Sequence, residues 1–139
     1  EQELVQEGIV SSVSASPSKA RYPTLFLFSV QMTQGKSSDA ALKTIRAAIA
    51  RIAEGKVSPA ELERAKNQFL LYSYGELMSQ SNIGKNLGDA LVATDNYLRE
   101  FEILDEVKKV TVADLQRVAK TYLIENRSNL LTVSPGKGN

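Results

Sequence analysis

The chain contains no histidine and no cysteine in its 139 residues. Without imidazole it lacks the commonest metal ligand and the side chain best suited to proton transfer near neutral pH. Without thiols, disulfides, thiolate zinc sites and cysteine nucleophiles are all excluded. Charge of one sign is missing as well. Seventeen Lys and Arg are mixed with sixteen Asp and Glu for a net charge of +1, so no basic face emerges that would release counterions from a nucleic-acid backbone. No apolar run approaches the roughly 20 residues of a membrane-spanning helix. What is present is an apolar fraction of 42%, enough for one domain with a hydrophobic core and too much for a disordered segment.

The N-terminal third alternates. Over residues 9–16, Ile9, Ser11, Val13 and Ala15 fall on one face against Val10, Ser12, Ser14 and Ser16, the pattern of a half-buried strand. Pro17 and Pro23 bracket a polar loop. A second strand is predicted over 24–33, with Phe26, Phe28, Val30 and Met32 on a side that must be core. So short a connection makes the two strands an antiparallel pair.

Helical spacing follows. Leu42, Ile45, Ile49 and Ile52 predict a helix over 38–54, closed by Gly55. Ser58, Pro59 and Glu61 combine an N-cap, a proline at the first helical position and a glutamate three residues after the cap, opening a helix over 59–78. Leu62, Ala65, Phe69 and Tyr72 supply its stripe, and Leu70, Tyr74 and Leu77 widen it, so Tyr72 and Tyr74 read as core. Gly75, Gly84 and Gly88 each lower helix propensity by about 1 kcal/mol relative to Ala, which places a break between Gly75 and Ser81. Further helices are predicted over 81–92, over 95–108 with Asp95 as cap, and over 112–123 with Thr111 as cap. Residues 129–134 form a closing strand, followed by a frayed tail. The fold class is α+β: a mostly antiparallel sheet with several helices packed on one face, as a single domain over 1–139.

Four short patterns have bland readings. Ser16-Pro17-Ser18-Lys19 matches S-x-x-K, but the companion elements of serine-lysine enzymes are absent and a proline sits where a helix turn is needed, so it is a loop. Glu102, Asp105 and Glu106 share a helix face and read as solvated acids. Gly84 and Gly88 lack the remainder of a phosphate loop and read as close helix packing. Asn126-Arg127-Ser128 is a sequon short enough to arise by chance.

Two longer runs carry a resemblance. The run from Val57 to Asn67, V-S-P-A-E-L-E-R-A-K-N, resembles the "vs-x-x-El-x-raK" helix start of pitrilysin/insulinase-type peptidases and mitochondrial processing peptidases. The run from Val107 to Leu123 resembles the same family's "i-x-x-vT-x-x-dv-x-x-va-x-x-yl" helix. Gly8 to Ser16 is similar to its "G-l-a-y-s-v-s-a" strand, and Leu130 to Pro135 to its closing "l-x-v-x-P". The resemblance therefore covers nearly the whole chain.

It implies a clamshell of two homologous halves, one of which carries an inverted zinc motif, H-x-x-E-H, and a distal Glu. With no histidine, this chain resembles the later, non-catalytic part of one repeat, a truncated half of the metallopeptidase-like α/β sandwich. In the family the non-catalytic half can supply an Arg and a Tyr seven residues apart; aligning on Gly8 sets Leu4 and Ser11 at those positions, so neither side chain matches.

The implied function is a non-catalytic, substrate-enclosing or structural segment of a zinc-dependent metalloendopeptidase or of its inactive partner subunit. The alternative is a structural assembly subunit without proteolytic role. No catalytic or metal-ligating residue is expected in the chain. Substrate contact is expected at Gly8, Ser11 and Ser12. Zinc belongs to the catalytic part of the parent or partner. The expected partners are a homologous catalytic half or subunit, an unfolded peptide, and a second copy of the chain paired through an open strand edge. A soluble protein of a bacterial periplasm or cytoplasm suits this set, with no nucleic-acid partner and no membrane span.

Overall fold

The computed structural model describes residues 8–17 and 20–133. Two antiparallel strands, β1 (Val10–Pro17) and β2 (Phe26–Met32), open the fold. Five helices follow: α1 (Ser38–Ala53), α2 (Pro59–Glu76), α3 (Gln80–Thr94), α4 (Arg99–Lys109) and α5 (Val112–Tyr122), then a 3-10 turn at Glu125–Arg127. The α+β class and the antiparallel pairing are as the sequence implies.

Local chemistry accounts for the ends of these elements. Ser37 caps α1 by accepting from the Asp39 N–H at 3.1 Å. The same helix closes on Gly55 at φ +73°, where Gly55 N–H reaches the Ile52 carbonyl and Lys56 N–H the Arg51 carbonyl, both at 2.9 Å. That double bond needs a left-handed residue, and glycine takes the position without a Cβ penalty. At α2 the Ser58 hydroxyl accepts from Glu61 N–H, the Glu61 carboxylate accepts from Ser58 N–H, and Pro59 occupies the first turn. Thr111 and Asp114 repeat the arrangement at α5.

The Glu61 carboxylate also takes a 2.8 Å ion pair from Arg51. Its pKa is lowered to about 2, first by the Ser58 backbone N–H and then by Arg51 and the Ser58 hydroxyl. A depressed carboxylate contributes stability above its ordinary value near 4.5 and loses it as pH falls through about 2. The Glu61 side chain is accordingly expected to titrate near 2 by NMR, and Arg51→Ala to move its midpoint upward; a midpoint above 4 in the unaltered chain would contradict the capping geometry.

The core is thin. Val10 and Ala41 are buried together, with Ile9, Val13, Val30, Met32 and Ile45 around them, so α1 covers one end of one face of the hairpin. The helices pack serially: α1 on α5, α4 on both α2 and α3. Each of these helices buries one small or medium residue, namely Ala41 of α1, Leu62 of α2, Ala90 of α3, Leu104 of α4 and Ala119 of α5. Lys66 pins α2 to the end of α4 by donating to the Lys108 carbonyl at 3.1 Å.

Several expectations are corrected here. Strand β1 does not alternate cleanly: Val10 pairs with Met32, Ser12 with Gln31 and Val13 with Val30, so an extra residue bulges between Val10 and Ser12. The bulge brings Val10 onto the covered side with Val13, although simple parity separates them. Asp95 caps no helix start. It ends α3 in the left-handed region at φ 57°, while α4 begins at Arg99, its entry held by Asn96 accepting from Leu98 N–H at 3.0 Å. Tyr72 and Tyr74 are not core; they are 70% and 48% exposed, and the main helix packing on α2 is by α4. Gly84 and Gly88 allow no close approach, since a Cβ on either would meet nothing within 4 Å. Residues 129–133 form no strand, having no neighbouring strand to bond among the described residues; Ser134 and the tail lie outside the described residues, as do Leu4, Ser18 and Lys19.

Candidate peptide-contact strand

Of the three residues expected to meet substrate, Ser11 and Ser12 sit among the first residues of β1 and Gly8 just before it. Gly8 takes φ +64° with open space around its Cα, and the chain then straightens into the strand, fastened by Thr33 N–H donating to the Ile9 carbonyl at 3.1 Å. Ser11 and Ser12 occupy the bulge. Two residues here oppose one, and both turn to Gln31: the Ser11 hydroxyl donates to its backbone carbonyl at 3.2 Å and the Ser12 hydroxyl to its side-chain oxygen at 3.4 Å. The structure thus brings Ser11 and Ser12 together on one partner and leaves Gly8 apart as the entry turn. Gln31 went unremarked in the sequence; its β2 position opposite a small polar pair was the available signal.

Beyond the bulge, Ser12, Ser14 and Ser16 face the same way beside Ser29 and Leu27, an exposed surface of hydroxyls. Neither strand contains a charged residue. Among the described residues the sheet has two strands, so each keeps one edge without a described strand beside it. The site offers no nucleophile with an adjacent base.

The remaining candidates resolve into surface ion pairs. Arg99 holds Glu106 through two bonds of 2.6 and 2.7 Å and reaches Glu102 at 3.4 Å, while Lys108 holds Asp105 at 2.8 Å. These contacts keep the Glu106 carboxyl low through the Arg99 bond, and that of Asp105 low through Lys108. Among the described residues no three His, Cys, Asp or Glu are grouped to hold a metal ion. The donor set does not fit zinc, since the chain has no imidazole or thiol and each member of its acidic trio is already engaged by Arg99 or Lys108. The 3-10 turn takes up the sequon, with the Ser128 hydroxyl donating to the Glu125 carbonyl at 2.7 Å. No described helix is long and apolar enough to cross a membrane.

Comparison with known proteins bears out the resemblance and its non-catalytic side. Residues 2–69 match the family model of the peptidase M16 inactive domain. The fold is similar to that of a protease from Helicobacter pylori (TM-score 0.79, 21% identity), covering 91% of this chain and 30% of that one. It is similar also to a proposed zinc protease from Bordetella pertussis Tohama I (TM-score 0.71, 27% identity, 89% of this chain and 68% of that one). A third likeness is to the inactive peptidase domain of a proposed zinc protease from Bordetella parapertussis (TM-score 0.67, 23% identity, 96% of this chain and 73% of that one). The chain thus spans about 30% of the Helicobacter protein, and between about a quarter and a third of each Bordetella chain has no counterpart here. No curated protein matches.

Proposed function

We propose, on the premise that this chain is a non-catalytic M16-like segment, that it helps enclose an extended peptide for a zinc-bearing catalytic half or subunit. The observation that carries the reading is the uncharged, hydroxyl-lined β1 with a free edge. Main-chain pairing along such an edge takes a peptide with little regard to its sequence, which is what an enclosure for unfolded chains requires. Zinc and hydrolysis belong to the other half. A structural assembly role is the second reading, favoured by Leu4 and Ser11 standing where the family can carry an Arg and a Tyr.

Photo-crosslinking separates the two. With benzoylphenylalanine at position 12 or 14, an unstructured 20-residue peptide should label the chain at least fivefold more than with the same group at Arg64 on exposed α2. Equal labelling at all three positions would overturn peptide contact and leave the assembly role.

A further inference from the structure

The principal packing divides the chain into two groups. One is the hairpin with α1 and α5: the apolar cluster around Val10 and Ala41 draws on the hairpin and α1, and α5 lies on α1. The other is α2, α3 and α4, with α4 packed on both α2 and α3. The chain crosses between the groups at residues 54–58, after α1, and at 110–111, after α4. Both crossings leave the helical group at one end, because Lys66 of α2 donates to the Lys108 carbonyl at the end of α4. Arg51 and Glu61 pair across the first of them at 2.8 Å. At the opposite end, where α3 has finished and α4 has yet to begin, a second ion pair joins the groups: Arg21 of the hairpin loop donates to the Asp95 carboxylate at 2.7 Å. The 11 residues of α4 set the two ends about 16 Å apart at a helical rise of ~1.5 Å per residue. Beside the Arg21–Asp95 pair the seam is unfilled, an open cleft of about 360 Å³ lined by Ala20, Arg21, Gly88, Asp89, Val92 and Ala93.

We propose that the Arg21–Asp95 pair is a salt-sensitive latch: closed, it holds the hairpin against the end of α3, and released, it lets the two groups swing apart about residues 54–58 and 110–111. A latch acts where its two halves have little else to hold them together, and in the cleft beside this pair the side chains of the hairpin loop and α3 do not close on one another. The pair itself can open. Its side chains are 54% and 69% exposed, so counterions reach it and its net contribution is small. The crossings suit hinges, each being a short segment between helices that can absorb a change of backbone angle. Because both strands belong to the hairpin group, opening carries β1 away from α3 as a unit and needs no bound peptide.

The test is distance measurement between paired spin labels on the 139-residue chain, which has no native cysteine to compete for label. Thr24→Cys in the hairpin loop and Leu91→Cys on α3, both exposed, span the seam; Leu71→Cys with Leu91→Cys, inside the helical group, is the control. Passing from low salt to about 1 M NaCl, where screening acts within about 3 Å, should raise the long-distance population across the seam roughly two- to fivefold and leave the control unchanged. Arg21→Gln should show the raised population already at low salt and respond no further to salt, while Arg21→Lys should match the parent. Arg21→Gln joined with Asp95→Asn, a residue that tolerates the left-handed position, should open no further than Arg21→Gln alone. Seam distances that ignore both salt and Arg21→Gln would overturn the latch. So would a control pair that lengthens in step with the seam, since the loosening would then belong to the whole fold.

Discussion

Replacing Leu104 by Ala is expected to lower the unfolding free energy by about 2–4 kcal/mol, the range for emptying a leucine site in a packed interior. Leu104 is 8% exposed and sits on α4, the helix that touches both α2 and α3. The cavity would therefore loosen two contacts at once. Few other buried side chains exist to share the loss: among the described residues only Val10 and Leu62 are buried and larger than alanine. Urea denaturation should show the midpoint falling with the slope unchanged. Leu131→Ala, at a residue 85% exposed, supplies the contrast and should stay within about 0.5 kcal/mol. Equal losses in the two variants would mean that the helical layer is not held together around α4.

The second large effect comes from adding volume. Ala119 is 1% exposed on α5, the helix that packs on α1, and a Cβ added at Gly55, just past the end of α1, would lie 3.4 Å from the Gln116 side chain of α5. A residue so fully enclosed on a helix in contact with α1 leaves little room for added volume. Ala119→Leu should cost about 1–3 kcal/mol through displaced neighbours. Lys120→Leu, one position along on the exposed side, introduces the same side chain where solvent can accommodate it and should change little. Thermal unfolding of the pair decides it: if Ala119→Leu melts with the parent, α5 does not seat on α1 as described.

How far the sequence foretold this molecule depended on how local each signal was. The caps at Ser58 and Thr111 were legible because a hydroxyl, a carboxylate and the first helical N–H groups lie within four residues, and nothing distant can undo them. The hairpin was legible for the same reason. Its parity was not, since an inserted residue at Ser11 is visible only once Val10 and Met32 are seen to pair. Burial was the least legible property. Tyr72 and Tyr74 have the spacing of a buried stripe, but whether a stripe is buried depends on what lies across from it, and here both rings stay exposed. Residues 129–133 show the same dependence, for a strand is a relation between two segments. At the contact strand, Gly8, Ser11 and Ser12 were legible as positions, while their shared attachment to Gln31 required the fold.

The pairing of Val10 with Met32 and Ser12 with Gln31 makes Ser11 a supernumerary residue. A chain shortened by that one serine would keep Val10 and Val13 on the same side and run as an unbroken ladder, so its fold would survive the deletion. What it would lose is crookedness. A straight border of this composition invites neighbouring molecules to stack in register, and the cost of dropping Ser11 would then be fibrous precipitation of an intact protein.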